Sequence, residues 1–460
     1  MLKNKFTTKE IFEDIPVSRA LIVLSMPAII SQLVTLAYNI ADTFFIGLVN
    51  NPLMVTGTSL TFPIYMMSAP ISIIAGTGGG TLISRLLGQH RDGEAKKVGV
   101  FSTYVSLVLG ALYSVLVLLF MTPLLNFVGA SADTFEYTRQ YMTCVVVIGG
   151  LPCIMSSTFA NLLRSVGHSK EAGIGQSLGG ILNIILDPLF MFLILPKGQE
   201  LIGVGVATAL SNLIAASYQG LVIAKISKET ALGFNPSVGL PEKKNIVTLF
   251  AVGIPSATTT LLFDVSNLIL NKLMSAYGDI AVAAIGIVLK IERLSANICL
   301  GITLGMQPLV AYSFARKDYK RMNEALRLTK LWGIVIAAIC LALYEIFAGQ
   351  MLKLFIADAE TVFYGIAFLR RRVTDTITMF VSFFTIHAFQ GVGSGKHTFW
   401  LAFIRYAGLI IPFLYILNHF FGMYGLALAQ TCGDVITTIM SAIVLHFYLK
   451  KLYNEGTKQL

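Results

Sequence analysis

Charge is what this sequence has least of: only 13% of its 460 residues are Asp, Glu, Lys or Arg. A soluble globular domain carries roughly 25%. A chain of this length with so little polar surface is not kept dissolved by water, which argues against an ordinary soluble enzyme. Acidic residues are the scarcer sign, 24 against 34 basic ones. The basic excess forms no single patch, so a nucleic-acid surface is not expected; short Lys and Arg clusters between apolar runs are the pattern of membrane-protein loops. Cysteine is sparse too. Cys144, Cys153, Cys299, Cys340 and Cys432 all lie inside apolar runs, an odd number in places that suit no disulfide framework. There is no phosphate-cradling GxxxxGK[ST], hence no built-in ATP motor, and the six histidines show no HExxH or similar spacing. No enzyme activity, cofactor or structural metal is expected. The run Gly76-Thr-Gly-Gly-Gly80 lies within an apolar stretch and reads as close helix packing.

In place of charge the chain has long apolar runs. Apolar residues make up 55% of it, and the mean hydropathy is +0.75. A spanning helix needs about 20 mostly apolar residues. Such runs lie near 20–46, 55–83, 98–121, 140–163, 173–195, 203–224, 247–272, 280–312, 330–350, 361–390, 400–420 and 423–449. They predict an all-α integral membrane protein of twelve transmembrane helices. The longest runs are expected to tilt or bend. Met1 to Arg19 is polar and of mixed charge, which predicts no cleavable signal peptide.

Lys and Arg set the expected orientation. With the amino terminus cytoplasmic, 25 of the 34 fall on inside segments, counting Lys3, Lys5, Lys458, Arg164, Lys396 and Arg405 among them. The outside segments hold Arg139, Lys197, Lys272 and Lys353. This asymmetry predicts both termini inside and an even number of spans.

The chain also repeats itself. Arg164-Ser-Val-Gly167-His-Ser-Lys170 resembles Gln390-Gly-Val-Gly393-Ser-Gly-Lys396, and Pro27 matches Pro255. Pro188 matches Pro412, and Gly205, Ala207 and Ala209 match Gly425, Ala427 and Ala429. Six spans per half return the chain to the same side, so the halves are parallel repeats. The expected domains are a six-helix lobe over 1–225, a cytoplasmic linker over 226–245 and a second six-helix lobe over 246–460, with a central cavity between the lobes.

Polar residues at membrane depth are costly and normally face a cavity or a partner. In span 1, Ser31, Thr35, Tyr38 and Asp42 follow helical spacing along one face. In span 5, Asn183 and Asp187 are four apart, followed by Pro188, which bends the helix and frees carbonyls. Asn161 lies in span 4, and Thr208, Ser211 and Asn212 cluster in span 6. Such oxygens suit a sodium ion, or a proton if burial raises a carboxyl pKa. The plainer readings are a structural acceptor for Asp187 and an interfacial residue for Asp42. The second half offers Asp264 with Asn267 and Asn271, then Lys290, Glu292, Arg293, the triplet Arg370 to Arg372, Asp375 and Asp434. These read either as internal ion pairs or as lining of an outer vestibule. Pro27 is a candidate hinge.

With these residues in view the chain resembles the multidrug and toxic compound extrusion (MATE) family, particularly its bacterial MepA-like members. The resemblance rests on Tyr38-Asn-Ile-Ala-Asp42, Gly78-Gly-Gly-Thr-Leu-Ile-Ser-Arg85, Leu163-Arg-Ser-Val-Gly167, Leu182-Asn183-Ile-Ile-Leu-Asp187-Pro188, Gly253-Ile-Pro255 and Gly305-Met-Gln307-Pro308. It implies efflux of amphipathic, often cationic drugs by antiport with H+ or Na+, in the inner membrane of a bacterium and as a monomer. It implies cation coupling at Asp42, Asn183, Asp187 and Thr208. Tyr38, Asn161, Gln176, Asp264 and Asp375 are the candidate cavity residues. The Arg triplet departs from the usual apolar start of span 10. It keeps open an alternative, a flippase for a lipid-linked saccharide.

Overall fold

The computed structural model describes residues 6–49 and 51–457; Lys3, Lys5 and Lys458 lie outside them. The described residues form sixteen α-helices and no strand. In chain order these are α1 (Val17–Leu48), α2 (Pro52–Met66), α3 (Ser68–Gly88), α4 (Asp92–Leu119), α5 (Met121–Phe127), α6 (Ala132–Met142), α7 (Gly150–Ser165) and α8 (Ser169–Leu189). There follow α9 (Glu200–Ile226), α10 (Lys243–Met274), α11 (Asp279–Ala315), α12 (Tyr319–Lys353), α13 (Ala359–Val373), α14 (Thr376–Gly391), α15 (Gly395–Phe403) and α16 (Ile411–Thr457).

These helices make twelve spans. Broken spans and the seven-residue α5, too short to cross, account for the difference in number: α2 runs into α3, and α6 is joined to α7 by a π-helical stretch, Thr143–Ile148, with a 40° bend. Likewise α13 meets α14 at Asp375, and a second π-helical stretch, Ile404–Ile410, joins α15 to α16. Within α16, Gly422 has φ 58° and ψ −140°; the chain turns there, and the last two spans part. An even number of spans puts both chain ends on one face.

The repeat noted in the sequence has a backbone counterpart on that face. Four turns between spans share one geometry, with a residue in the left-handed region: His90 (φ 57°), Gly167 (φ 86°), Lys317 (φ 64°) and Gly393 (φ 77°). In each, the next amide reaches back five residues to a helix carbonyl: Arg91 to Leu86, His168 to Leu163, Asp318 to Ser313 and Ser394 to Phe389, all at 2.8–2.9 Å. This caps carbonyls that the helix end leaves free. His90 pairs with Lys317 and Gly167 with Gly393 across the two halves, so the matching sequence text encodes matching helix ends.

The two halves meet along glycine seams towards the face that carries the termini. A Cβ on Gly253 of α10 would lie 2.0 Å from the Ile74 carbonyl oxygen of α3, and one on Gly305 of α11 would lie 2.2 Å from Ser25 Oγ of α1. Ser25 Oγ donates across the same seam to the Ile302 carbonyl at 3.2 Å. The amino-terminal segment closes the seam from outside. Thr8 donates to the Val166 carbonyl at 2.7 Å. Phe12 stacks on Tyr312, with centroids 4.9 Å apart, and Glu13 accepts from the Tyr312 hydroxyl and pairs with Arg316. Arg321 donates to the carbonyls of Ile11 and Ile15 at 3.1 and 2.9 Å.

The stretch between the halves is docked rather than loose. Ala231 and Leu232 are buried, and Tyr104 of α4 donates to the Phe234 carbonyl at 2.9 Å.

Candidate functional site

The face of α1 that carries Tyr38 and Asp42 packs against α8. A Cβ on Gly180 would sit 2.8 Å from Val34 and 3.2 Å from the Tyr38 ring, so glycine is what lets the two polar faces approach. Asn183 and Asp187 follow Gly180 along α8 and are both buried. The Asn183 amide donates to Asp187 Oδ1 and to Thr208 Oγ1 of α9, each at 3.2 Å. Asp42 lies within electrostatic reach of Asp187, and Tyr141 within reach of both. Three helices, α1, α8 and α9, thus bring Tyr38, Asp42, Asn183, Asp187 and Thr208 into one cluster.

The cluster is incompletely satisfied. Asp42 Oδ1, Asn183 Oδ1 and Asp187 Oδ2 are buried oxygens without a hydrogen-bond partner, and Ser211 Oγ nearby on α9 is another. Buried polar groups are nearly always paired. Carboxylate, amide and hydroxyl oxygens are acceptors, so what they lack is a proton or a hard cation. The donor set fits either.

Other expected cavity residues lie elsewhere. Asn161 and Gln176 accept from the buried Arg164 guanidinium, close to the inter-half seam. Asp375 stands at the break between α13 and α14, where its side chain caps no amide, and accepts from Gln430 at 2.9 Å. Asp264 lies on α10 within electrostatic reach of Arg293 of α11, which also reaches Tyr38 in the other half. Arg293 is therefore within electrostatic reach of a polar residue in each half. Pro27 sits inside α1, which continues as helix on both sides of it.

The second half holds its own buried ionic network. Arg372 donates to Glu292 at 2.8 Å and to Gln430 at 2.6 Å. Arg405 forks onto both oxygens of Asp434 at 2.7 and 2.8 Å. Arg405, counted above on an inside segment, is corrected: it lies within the eleventh span, 1% exposed. Arg370 pairs with Glu345, and Arg371 lies over the Tyr424 ring at 4.5 Å. Internal pairing accounts for Arg372, while Arg370 pairs with Glu345 at the exposed surface.

The MatE family model matches the chain twice, over residues 27–189 and 255–416; the two blocks begin at Pro27 and Pro255. A multidrug export protein MepA of Staphylococcus haemolyticus is 28% identical over 441 residues, 96% of each chain. One of Staphylococcus aureus is 27% identical over 444 residues, again 96% of each. Among solved structures, an outward-facing multidrug resistance MATE family transporter of the MOP superfamily superposes with a TM-score of 0.91. It is 22% identical and covers 98% of this chain and 100% of its own. Both the repeat and the twelve-span fold are thus shared with known proteins.

Proposed function

The chain belongs to the MatE family, and from that premise we propose that it exports amphipathic, often cationic small molecules by antiport with H+ or Na+. The observation that carries the coupling is the set of three buried acceptor oxygens on Asp42, Asn183 and Asp187 that lack a donor. The names of the relatives, multidrug export proteins over 96% of the chain, support the substrate class.

With both termini cytoplasmic, as the Lys and Arg distribution predicts, the glycine seams lie on the inner side. The lobes are then shut on the inner side. In this form Asp42 and Asp187 receive a proton or sodium ion from outside. Asn183 keeps Asp187 and Thr208 in register, so a change in charge at Asp187 is felt on α8 and α9 together. Filling the site removes the repulsion between the two carboxylates and lets α1 repack on α8 around Pro27. That narrows the space beside Tyr38 and releases the exported compound. The membrane field adds about 2.3 kcal/mol per net charge per 100 mV where the charge carried in exceeds the charge carried out; otherwise the ion gradient itself drives export.

The flippase alternative required free cationic groups for a pyrophosphate. Arg372 is engaged by Glu292 and Gln430, and Arg370 by Glu345, which leaves that reading weaker. Inverted vesicles with a pH or sodium gradient imposed separately test the proposal. One gradient is expected to drive dye uptake, with Asp187→Asn cutting the rate at least tenfold. Unchanged gradient-driven transport by Asp187→Asn, in protein inserted at normal levels, would refute the coupling site.

A further inference from the structure

Three arginines are buried among the described residues, and two are neutralised: Arg372 by Glu292 and Arg405 by Asp434. Arg164 of α7 is the third, 4% exposed, and among the described residues no carboxylate pairs with it. Its two partners among the described residues, Asn161 Oδ1 and Gln176 Oε1, are neutral amide oxygens, and its Nε has no partner. Taking a guanidinium out of water without a counter-charge is strongly unfavourable. Arg164 stands in the last turn of α7, where the helix dipole offsets part of the charge. The orphaned Nε–H shows that the compensation is incomplete.

Beside it is a cavity of about 20 Å³, walled by Thr77 and Thr81 of α3, Asn161 and Arg164 of α7, and Leu304 and Gln307 of α11. That is room for about one water-sized body, too little for a carboxylate or phosphate ligand. Several donors in this lining have hydrogens to spare. The Arg164 Nε–H is unpaired; the amide groups of Asn161 and Gln307 each spend one bond, on the Ser157 carbonyl and on Gln390 Oε1, and each carries a second hydrogen. A water would meet the hydrogen-bonding need and leave the charge.

We propose that this cavity binds one small monovalent anion of the size of chloride, held by Arg164 with the amides of Asn161 and Gln307. The site differs in sign and place from the Asp42–Asp187 cluster. One side of its wall, Leu304, Gln307 and Pro308, comes from the opposite half of the molecule, so the site is complete only while the seam is shut. By linkage, an anion that binds the shut form alone stabilises it.

The test uses the full chain purified in detergent, unfolded by heat in sodium chloride and in sodium gluconate at equal ionic strength. The wild-type melting temperature is expected to rise saturably with chloride. Arg164→Gln should lose the response. Gln307→Glu supplies the missing carboxylate across the seam; it should be at least as stable as wild type in gluconate and indifferent to chloride, which keeps the test valid if Arg164→Gln fails to fold. Asp187→Asn should keep the wild-type chloride response, so this site and the coupling site fail separately. Crystals of the shut form soaked in bromide should show an anomalous peak beside Arg164. Equal wild-type melting in both salts, a wild-type response in Gln307→Glu, or bromide absent from the cavity would each overturn the assignment.

Discussion

At the scale of single residues, the fate of each buried charge follows from whether a partner is built for it. Arg405 and Asp434 form a two-pronged pair, both at most 1% exposed, and the guanidinium also lies 4.9 Å over the Tyr406 ring. Removing one member of such a pair strands the other, at a cost of about 3–5 kcal/mol. Arg405→Leu is therefore expected to lower the unfolding midpoint of the purified protein sharply. The double change with Asp434→Leu should recover most of the loss, because two apolar side chains leave no charge behind. A double variant as unstable as the single one would mean that the pair matters for more than its own neutrality. By its charge Arg405 was counted on an inside segment, although it lies in the apolar run 400–420. The π-helical stretch Ile404–Ile410 carries the helix through that position, and its partner lies 29 residues away.

At the scale of elements, breaks and close approaches set the geometry. Periodicity was enough to find each span, because apolar length is all that a bilayer demands. It did not reveal that α2 and α3, α6 and α7, or α13 and α14 are two helices in line, since a break is decided by packing against neighbours. The glycines were visible as letters, but which helix each would meet was not. Gly305 is the clearest case, with Ser25 filling the space its Cβ would need. Gly305→Ile is expected to keep α11 from closing on α1. Spin labels at Lys170→Cys and Lys396→Cys, one in each half, should then report longer distances than in the parent protein. An unchanged distance distribution would show that the seam tolerates the side chain.

At the scale of the whole molecule, the amino-terminal segment behaves as a strap over the shut seam. It holds the first half through Thr8 and Val166, and the second through Phe12, Glu13 and the arginines Arg316 and Arg321. Ile11 and Phe12 are almost wholly buried, so the strap adds apolar contact to its ionic ones. Glu13→Ala removes the acceptor shared by Tyr312 and Arg316. Amide hydrogen exchange over residues 10–15 is expected to speed up several-fold in that variant, with little change in α4 or α12. Exchange that rises equally everywhere would mean global destabilisation instead of release of the strap.

The sequence by itself determined the solvent, the spans and the doubling. Low charge and apolar runs leave only a bilayer as surroundings, and a duplicated text carries duplicated turns, down to the left-handed residues at Gly167 and Gly393. It also determined which residues of α1, α8 and α9 share a face, because helical spacing is local. The tertiary structure alone decided which faces meet. It brought Asp42 within electrostatic reach of Asp187, sent Asn161 and Gln176 to Arg164, gave Arg372 and Arg405 their acids, and left Arg164 without one. Those outcomes depend on contacts between residues far apart in the chain, and the free energy of a buried charge depends on what surrounds it rather than on its neighbours in sequence.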